Sequence, residues 1–332
     1  MAAEGDSCFR GLLYYLKLYR MADFLTALLF GGTGFLVAHF LKPFCRSFSV
    51  NDPSINNTFV HNSTFPTWSL FPVCFIPVFF FVAIELMRMK FSSKGEWYLD
   101  VKDSALQVES AHLENALDPG TVYRREGGQC GKAGGDDTRF MLGEECGVVA
   151  RRSFVVKQVI VHWILVVFFS VMFQLGIVDL VKVYAGVLRP DFLGRLRSAK
   201  EDPNSEKVIQ CNVEKEGRLS FPSGHSSCAF AALTPLAIYL LGVQKVFNGG
   251  PLWKVVVGLW PIFFALVIAV SRTRDNRHHT SDIIAGSIIG MLTSFLSVSV
   301  LFRFSERGAY LVPRRVVFLL PRAGRSAGGD AP

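Results

Sequence analysis

Six long apolar runs dominate this chain, at about residues 22–41, 68–87, 159–181, 226–242, 253–270 and 283–302. A bilayer core of about 30 Å takes roughly 20 apolar residues as a helix, and a backbone inside it must satisfy its hydrogen bonds internally. The runs therefore predict an all-α, polytopic membrane protein with six transmembrane helices. Composition agrees: 50% of the 332 residues are hydrophobic and 30 are Phe, too many for an ordinary soluble domain. Pro72, Pro77, Pro235 and Pro261 fall inside the runs, where neighbouring helices can absorb the lost bonds. Residues 9–20 mix Leu and Tyr with Arg10, Lys17 and Arg20. They read as an interfacial helix ahead of a retained first span, not as a signal peptide.

The formal net charge of +8 does not point to nucleic acid, because of where the charges fall. Arg88, Lys90 and Lys94 follow the second run, Arg151, Arg152 and Lys157 precede the third, and Arg303, Arg307, Arg314, Arg315, Arg322 and Arg325 follow the last. These flanks mark cytosolic ends under the positive-inside rule. The loop between the first two runs carries two sequons, Asn56-Asn57-Thr58 and Asn62-Ser63-Thr64, which make Asn56 and Asn62 candidate glycosylation sites on the lumenal or outer side. Threading the chain from a cytosolic N-terminus then puts residues 182–221 and 271–282 on that same side.

The outer loop nevertheless holds Lys182, Arg189, Arg195, Arg197, Lys200, Lys207, Lys215 and Arg218, against the topological trend. An anionic headgroup to be attracted and held is the functional reason for such a violation. The seven Cys have no metal-type spacing; Cys45 and Cys211 fall on the same side, which leaves a disulfide between them open. Residues 90–150 read as a polar cytosolic insertion, mostly flexible, with a short helix near 103–117; residues 304–332 read as a basic cytosolic tail, disordered beyond about 320. The rest makes one six-span domain.

Three short blocks carry the chemistry. They are Lys182 with Arg189-Pro190, then Pro222-Ser223-Gly224-His225, then Ser271-Arg272 with His278 and Asp282. Lys and Arg can hold phosphate oxygens, a Ser-Gly turn at a helix start offers donors to an anion, and two His residues can serve as nucleophile and acid. Asp282 stands four residues past His278, one helical turn, where a carboxylate can orient the ring if a helix begins by His278. The acidic residues show no metal-binding cluster, so neither a metal nor a cofactor is expected. His162, inside the third run, reads as a helix–helix hydrogen-bonding group, and Gly286 with Gly290 as a packing stripe.

The blocks and their spacing resemble the three-part signature of the lipid phosphate phosphatase family, also called type 2 phosphatidic acid phosphatases. The pattern is Lys, six residues, Arg-Pro; Pro-Ser-Gly-His; and Ser-Arg, five residues, His, three residues, Asp. Flanking residues Gly186, Phe192, Leu193, Ser220, Phe221 and His279 resemble its eukaryotic branch, and Val187 departs from it where many members have a second Arg. The resemblance implies His278 as a nucleophile forming a phosphohistidine, His225 as the acid for the leaving oxygen, and Asp282 as the group orienting His278. It also implies Lys182, Arg189, Ser223, Gly224 and Arg272 as the phosphate-binding set and activity without Mg²⁺.

The substrate implied is a lipid phosphate monoester in the bilayer, such as phosphatidic, lysophosphatidic or a sphingoid-base phosphate, or diacylglycerol pyrophosphate. The host is the plasma membrane or an endomembrane, with the site facing the lumen or outside. Two other readings use the same residues, a lipid phosphotransferase of the sphingolipid-synthase type and a non-catalytic lipid-phosphate binder. Nothing in the sequence decides between a monomer and a homo-oligomer.

Overall fold

The computed structural model describes residues 16, 19–91, 122–123, 137–139, 149–247, 249–304 and 311–313. Its helices are α1 (Met21–Phe40), α2 (Leu70–Phe91), α3 (Arg152–Ala185), α4 (Phe192–Ser198), α5 (Glu206–Ile209), α6 (Gly224–Val243), α7 (Trp253–Arg274) and α8 (Thr280–Leu301). Six of them, all but α4 and α5, are long and apolar enough to cross a membrane, and each coincides with one of the six apolar runs. Pro77, Pro235 and Pro261 lie inside α2, α6 and α7. Pro72 instead falls in the first turn of α2, where its missing N–H has no intrahelical partner to lose.

Helix α6 is the centre of the bundle: 83% of its membrane window is buried, against 17% for α1. Its run of Ala229, Ala231 and Ala232 lets neighbours come close. Helix α8 does so through Gly286 and Gly290, where a Cβ would lie 2.4 Å from the Ser223 carbonyl oxygen and 2.3 Å from that of Ser227. This is the small-residue packing expected of that stripe. Buried hydroxyls add direct links: Ser294 Oγ donates to the Ala231 carbonyl at 3.0 Å, and Ser170 Oγ on α3 to Ser297 Oγ on α8 at 2.9 Å. Packing and polar links of this kind hold helices together where lipid removes the hydrophobic gain between them. Leu29, Phe75, Phe79, Val256, Phe263 and Leu292 are exposed, as side chains turned to hydrocarbon must be.

His162 behaves differently from the expectation. Its Nδ1 donates to the Gln158 carbonyl at 2.7 Å, one turn back on α3, so the bond is within the helix and not between helices. Strands were not foreseen either. β1 (Val122–Tyr123), β2 (Asp137–Arg139) and β3 (Val149–Arg151) form an antiparallel sheet in the order β1-β3-β2, inside the stretch read as mostly flexible. β4 (Phe302–Phe304) and β5 (Leu311–Pro313) pair beyond α8. All are two or three residues long and lie outside the six helices. The helices expected at 9–20 and 103–117 fall outside the described residues, apart from residues 16, 19 and 20.

Three chain reversals meet at one end of the bundle, the α1–α2 loop, the α3–α6 segment and the α7–α8 link, together with the starts of α6 and α8. Cys45 and Cys211 are joined there by a disulfide with Cα atoms 5.9 Å apart. Asn56 and Asn62 are exposed in the same region. Several of its basic residues bond to the loops themselves, which narrows the functional reading of that charge. Arg195 Nε donates to Asp191 Oδ1 at 2.9 Å, Arg218 Nη2 to the Val208 carbonyl at 2.7 Å, and Arg197 Nη1 to Asn56 Oδ1 at 2.7 Å. Lys215 Nζ satisfies the last carbonyls of α1, Ala38 at 2.9 Å and His39 at 2.6 Å.

Candidate active site

The three blocks arrive from three helix ends. Lys182 stands in the last turn of α3, its Nζ 3.5 Å from Asp179 Oδ1. A Cβ on Gly224 would lie 2.9 Å from that Nζ, so the absence of a side chain is what lets the ammonium reach the start of α6. Arg189 is fixed by its backbone, whose N–H donates to the Gly217 carbonyl at 2.8 Å. Its Nη2 is 3.3 Å from Glu216 Oε2, and its Nε is buried without a hydrogen-bond partner. Burial lowers the Arg189 pKa to about 10, opposed by Glu216, so the guanidinium stays charged at neutral pH. In turn Arg189 holds the Glu216 carboxyl below the usual range.

At the start of α6, Ser223 is the N-cap: its Oγ accepts from the Ser226 N–H at 3.4 Å and from Ser226 Oγ at 3.1 Å. Its own N–H donates to the Asp282 carbonyl at 2.9 Å. Ser223 is fully buried; its N–H and its hydroxyl lone pairs are committed to structure, while its O–H donates in none of these bonds. The open anion-binding groups at this helix start are then the amides that follow, at Gly224 and His225, which have no intrahelical acceptor. The His225 ring has a buried Nε2 without a partner, and it stands among the cations Arg272, Lys182 and Arg189 and the His278 ring.

Arg272 closes α7 and is 2% exposed. Ser271 Oγ, which donates to the Ile268 carbonyl, accepts from Arg272 Nε at 3.1 Å and Nη2 at 3.0 Å. Nη2 also binds Asp275 Oδ2 at 2.7 Å. Asp275, which sequence spacing would equally pair with Arg277, thus serves Arg272.

His278 does not sit on α8. The helix begins at Thr280 with His279 as N-cap, and Asp282 turns back to accept from the His279 N–H at 3.0 Å. Asp282 Oδ2 also accepts from Ser220 Oγ at 2.5 Å. It therefore stands 3.7 Å from His278 Nδ1, beyond hydrogen-bond reach, and the expected ring–carboxylate bond is replaced. The partner of Nδ1 is the Ser220 carbonyl, at 2.8 Å. A carbonyl can only accept, so Nδ1 carries the proton and Nε2 keeps its lone pair. Burial lowers the His278 pKa to about 4 despite the opposing pull of Asp282, which leaves the ring neutral at physiological pH. His279 Nε2 donates to the Leu188 carbonyl at 3.1 Å, stitching the third block to the first.

Lys182, Arg189, Gly224, His225, Arg272, His278 and Asp282 are thus brought together, with Ser223 beside them as the cap of α6. Asn56 and Asn62 lie apart, on the loop above. Sequence reasoning missed Ser220 as the residue that sets the His278 tautomer, because the acting atom is a backbone carbonyl; the only signal was Ser220 in the flanking text. Glu216 lies in a loop with no pattern to mark it.

Residues 163–306 match the PAP2 superfamily. The chain is 45% identical over 115 residues to a PA-phosphatase related-family protein of Dictyostelium discoideum, covering 34% of this chain and 39% of that one. It is 40% identical over 134 residues to a probable diacylglycerol pyrophosphate phosphatase 1 of Schizosaccharomyces pombe, covering 38% and 48%. To lipid phosphate phosphatase 1 of Arabidopsis thaliana it is 38% identical over 139 residues, covering 40% and 42%. The matched segments span less than half the length of each of these relatives. No solved structure matches the chain. All three blocks, from Lys182 to Asp282, lie within the residues that match the PAP2 superfamily.

Proposed function

We propose that this protein is a lipid phosphate phosphohydrolase that works through a phosphohistidine on His278. The observation that carries the reading is the neutral His278 ring, its Nδ1–H donated to the Ser220 carbonyl and its Nε2 lone pair free, beside a convergence of Lys182, Arg189, Arg272 and His225. The lone pair on Nε2 attacks phosphorus, and the bond from phosphorus to the lipid oxygen breaks. That oxygen takes a proton from His225, which enters the step as the imidazolium because the bound phosphate dianion offsets Lys182, Arg189 and Arg272. His225 then removes a proton from water, whose oxygen attacks phosphorus, and the P–N bond breaks to return its electron pair to Nε2. Lys182, Arg189 and Arg272 balance charge on the three non-bridging oxygens. Asp282 stabilises the positive charge that His278 acquires as its phosphorus bond forms, acting across 3.7 Å.

The names of the relatives in S. pombe and A. thaliana support lipid phosphates as substrates, including the pyrophosphate of diacylglycerol. The Cys45–Cys211 disulfide and the exposed Asn56 and Asn62 lie at the same end as the site, which supports a lumenal or outer location for the chemistry. Sensitivity of the intact protein in sealed vesicles to an added glycosidase tests that orientation.

The activity test is inorganic phosphate release from phosphatidic acid in detergent micelles with EDTA present, comparing wild type with His278→Ala. Release by the wild type alone supports a metal-independent phosphohydrolase that depends on His278. Restoration by Mg²⁺ after complete loss in EDTA overturns metal independence, and absence of release by either protein turns the search to headgroup transfer from a phosphodiester.

A further inference from the structure

Arg272 is held by a carboxylate outside the three-block pattern, and that carboxylate is held from a remote part of the chain. Asp275 Oδ1 accepts from Thr64 Oγ1 at 2.7 Å, and Oδ2 accepts both from the Thr64 N–H at 2.9 Å and from Arg272 Nη2 at 2.7 Å. Asp275 is 3% exposed. We propose that Thr64 and Asp275 are positioning residues for Arg272, so that the α1–α2 loop sets the aim of a phosphate clamp; this rests on the phosphatase reading above.

The geometry explains why two contacts are needed. A carboxylate gripped at one oxygen can still rotate and carry the guanidinium with it. Thr64 binds both oxygens and fixes the carboxylate plane. Ser271 Oγ and Asp275 then occupy Nε and Nη2 of Arg272, which leaves Nη1 for a phosphate oxygen. In a buried charge pair such alignment matters more than proximity alone.

The loop is also anchored elsewhere on the α7–α8 link. Arg277 Nη2 donates to the Val60 carbonyl at 2.7 Å, and Asn276 Nδ2 to the Thr58 carbonyl at 3.1 Å. Loss of the Thr64 hydroxyl should therefore leave the loop in place. Thr64 is also the third residue of the Asn62 sequon, so its positioning role and any glycan must be separated.

Four variants of the full chain in detergent do so: Thr64→Val, Thr64→Ser, Asn62→Gln and Thr64→Val with Arg272→Ala. Thr64→Val is expected to raise both KM for phosphatidic acid and the inhibition constant of inorganic phosphate about tenfold, with kcat within about threefold, the scale of one hydrogen bond to a charged group. Thr64→Ser, which keeps hydroxyl and sequon, should stay within about twofold of wild type, as should Asn62→Gln. In the Arg272→Ala background, Thr64→Val should add nothing.

An Asn62→Gln loss equal to that of Thr64→Val, a Thr64→Ser loss of the same size, or a further loss without Arg272 would each overturn the proposal. If Thr64→Val does not fold, the serine variant and the same comparison with Asp275→Asn decide it by the phosphate inhibition constant. A wild type that releases no phosphate from any lipid defeats the phosphatase reading instead. The shift in unfolding temperature caused by inorganic phosphate then reads the grip of Arg272, and an unchanged shift in Thr64→Val overturns the positioning role.

Discussion

The two ends of the bundle are built on the same helices and solve opposite problems. At one end, α2, α3, α6 and β4 meet through Phe81, Trp163, Tyr239 and Phe302, with Trp163 stacked on Phe302 at 4.1 Å and edge-on to Tyr239 at 5.1 Å. The carboxylate there, Glu85, is fully buried and bound by Tyr239 Oη at 2.7 Å and Arg88 Nη1 at 3.1 Å. At the other end cations and imidazoles are buried with the carboxylates of Asp191, Asp275 and Asp282, and Arg189 Nε and His225 Nε2 lack partners. At the aromatic end the buried atoms without one include Glu85 Oε2 and His162 Nε2. An anion can complete a convergence of incompletely bonded cations, and it cannot complete a buried carboxylate. The difference separates the part that holds the fold from the part that does the chemistry.

The strongest attack on that division is a pair of substitutions at the cationic end. His225→Ala and His278→Ala should each lower phosphate release on the order of a thousandfold or more, and the double variant should be no worse than either, since the two act in one sequence of proton and phosphoryl transfers. Independent, multiplying losses in steady-state assays would mean that they do not share a mechanism. At the aromatic end, Trp163→Ala should cost about 3 kcal/mol of stability, while kcat per folded molecule stays within about twofold. A comparable fall in kcat would show that the two ends are coupled.

Protonation sharpens the contrast more gently. The His278 ring titrates near 6.5 when unfolded and at about 4 when folded. Between those values the unfolded state binds more protons, so this group's contribution is full above pH 6.5 and stability is lost as pH falls towards about 4. The difference in unfolding temperature between wild type and His278→Gln, followed from pH 7 to 4, should close over that interval; a constant difference would mean that burial does not set this pKa. The smallest effect expected is at Glu216, whose side chain is 72% exposed and competes for Arg189. Glu216→Gln should tighten inhibition by inorganic phosphate about threefold, in line with one exposed ion pair. Weaker inhibition would show that Glu216 helps to hold the anion.

The six spans were readable because each is a run of the length a bilayer demands, and the cations and imidazoles of the site because they sit at fixed spacing just outside those runs. What was hidden shares a different character. Ser220 acts through a carbonyl, and every residue has one. Asp282 was placed by spacing on a face with His278, but the helix starts at Thr280 and the carboxylate turns to its own N-terminus. Thr64 meets Asp275 across 211 positions of sequence, a contact that local patterning cannot carry. Arg195, Arg197, Lys215 and Arg218 looked like ligands by charge, and each bonds to the loops themselves, although Arg195 Nη2 and Arg218 Nε and Nη1 keep no partner.

The Cys45–Cys211 bond spans 166 positions, and everything between those residues lies within one covalent ring. That ring contains Thr64 as well as Lys182 and Arg189, while His225, Arg272 and His278 lie outside it. A single cut anywhere between residues 92 and 148 would therefore not release the N-terminal helices. It would turn the protein into a two-chain molecule in which the loop carrying Thr64 stays covalently tied to the fragment carrying all three blocks, so that the two chains part under denaturing conditions only when a reductant is added.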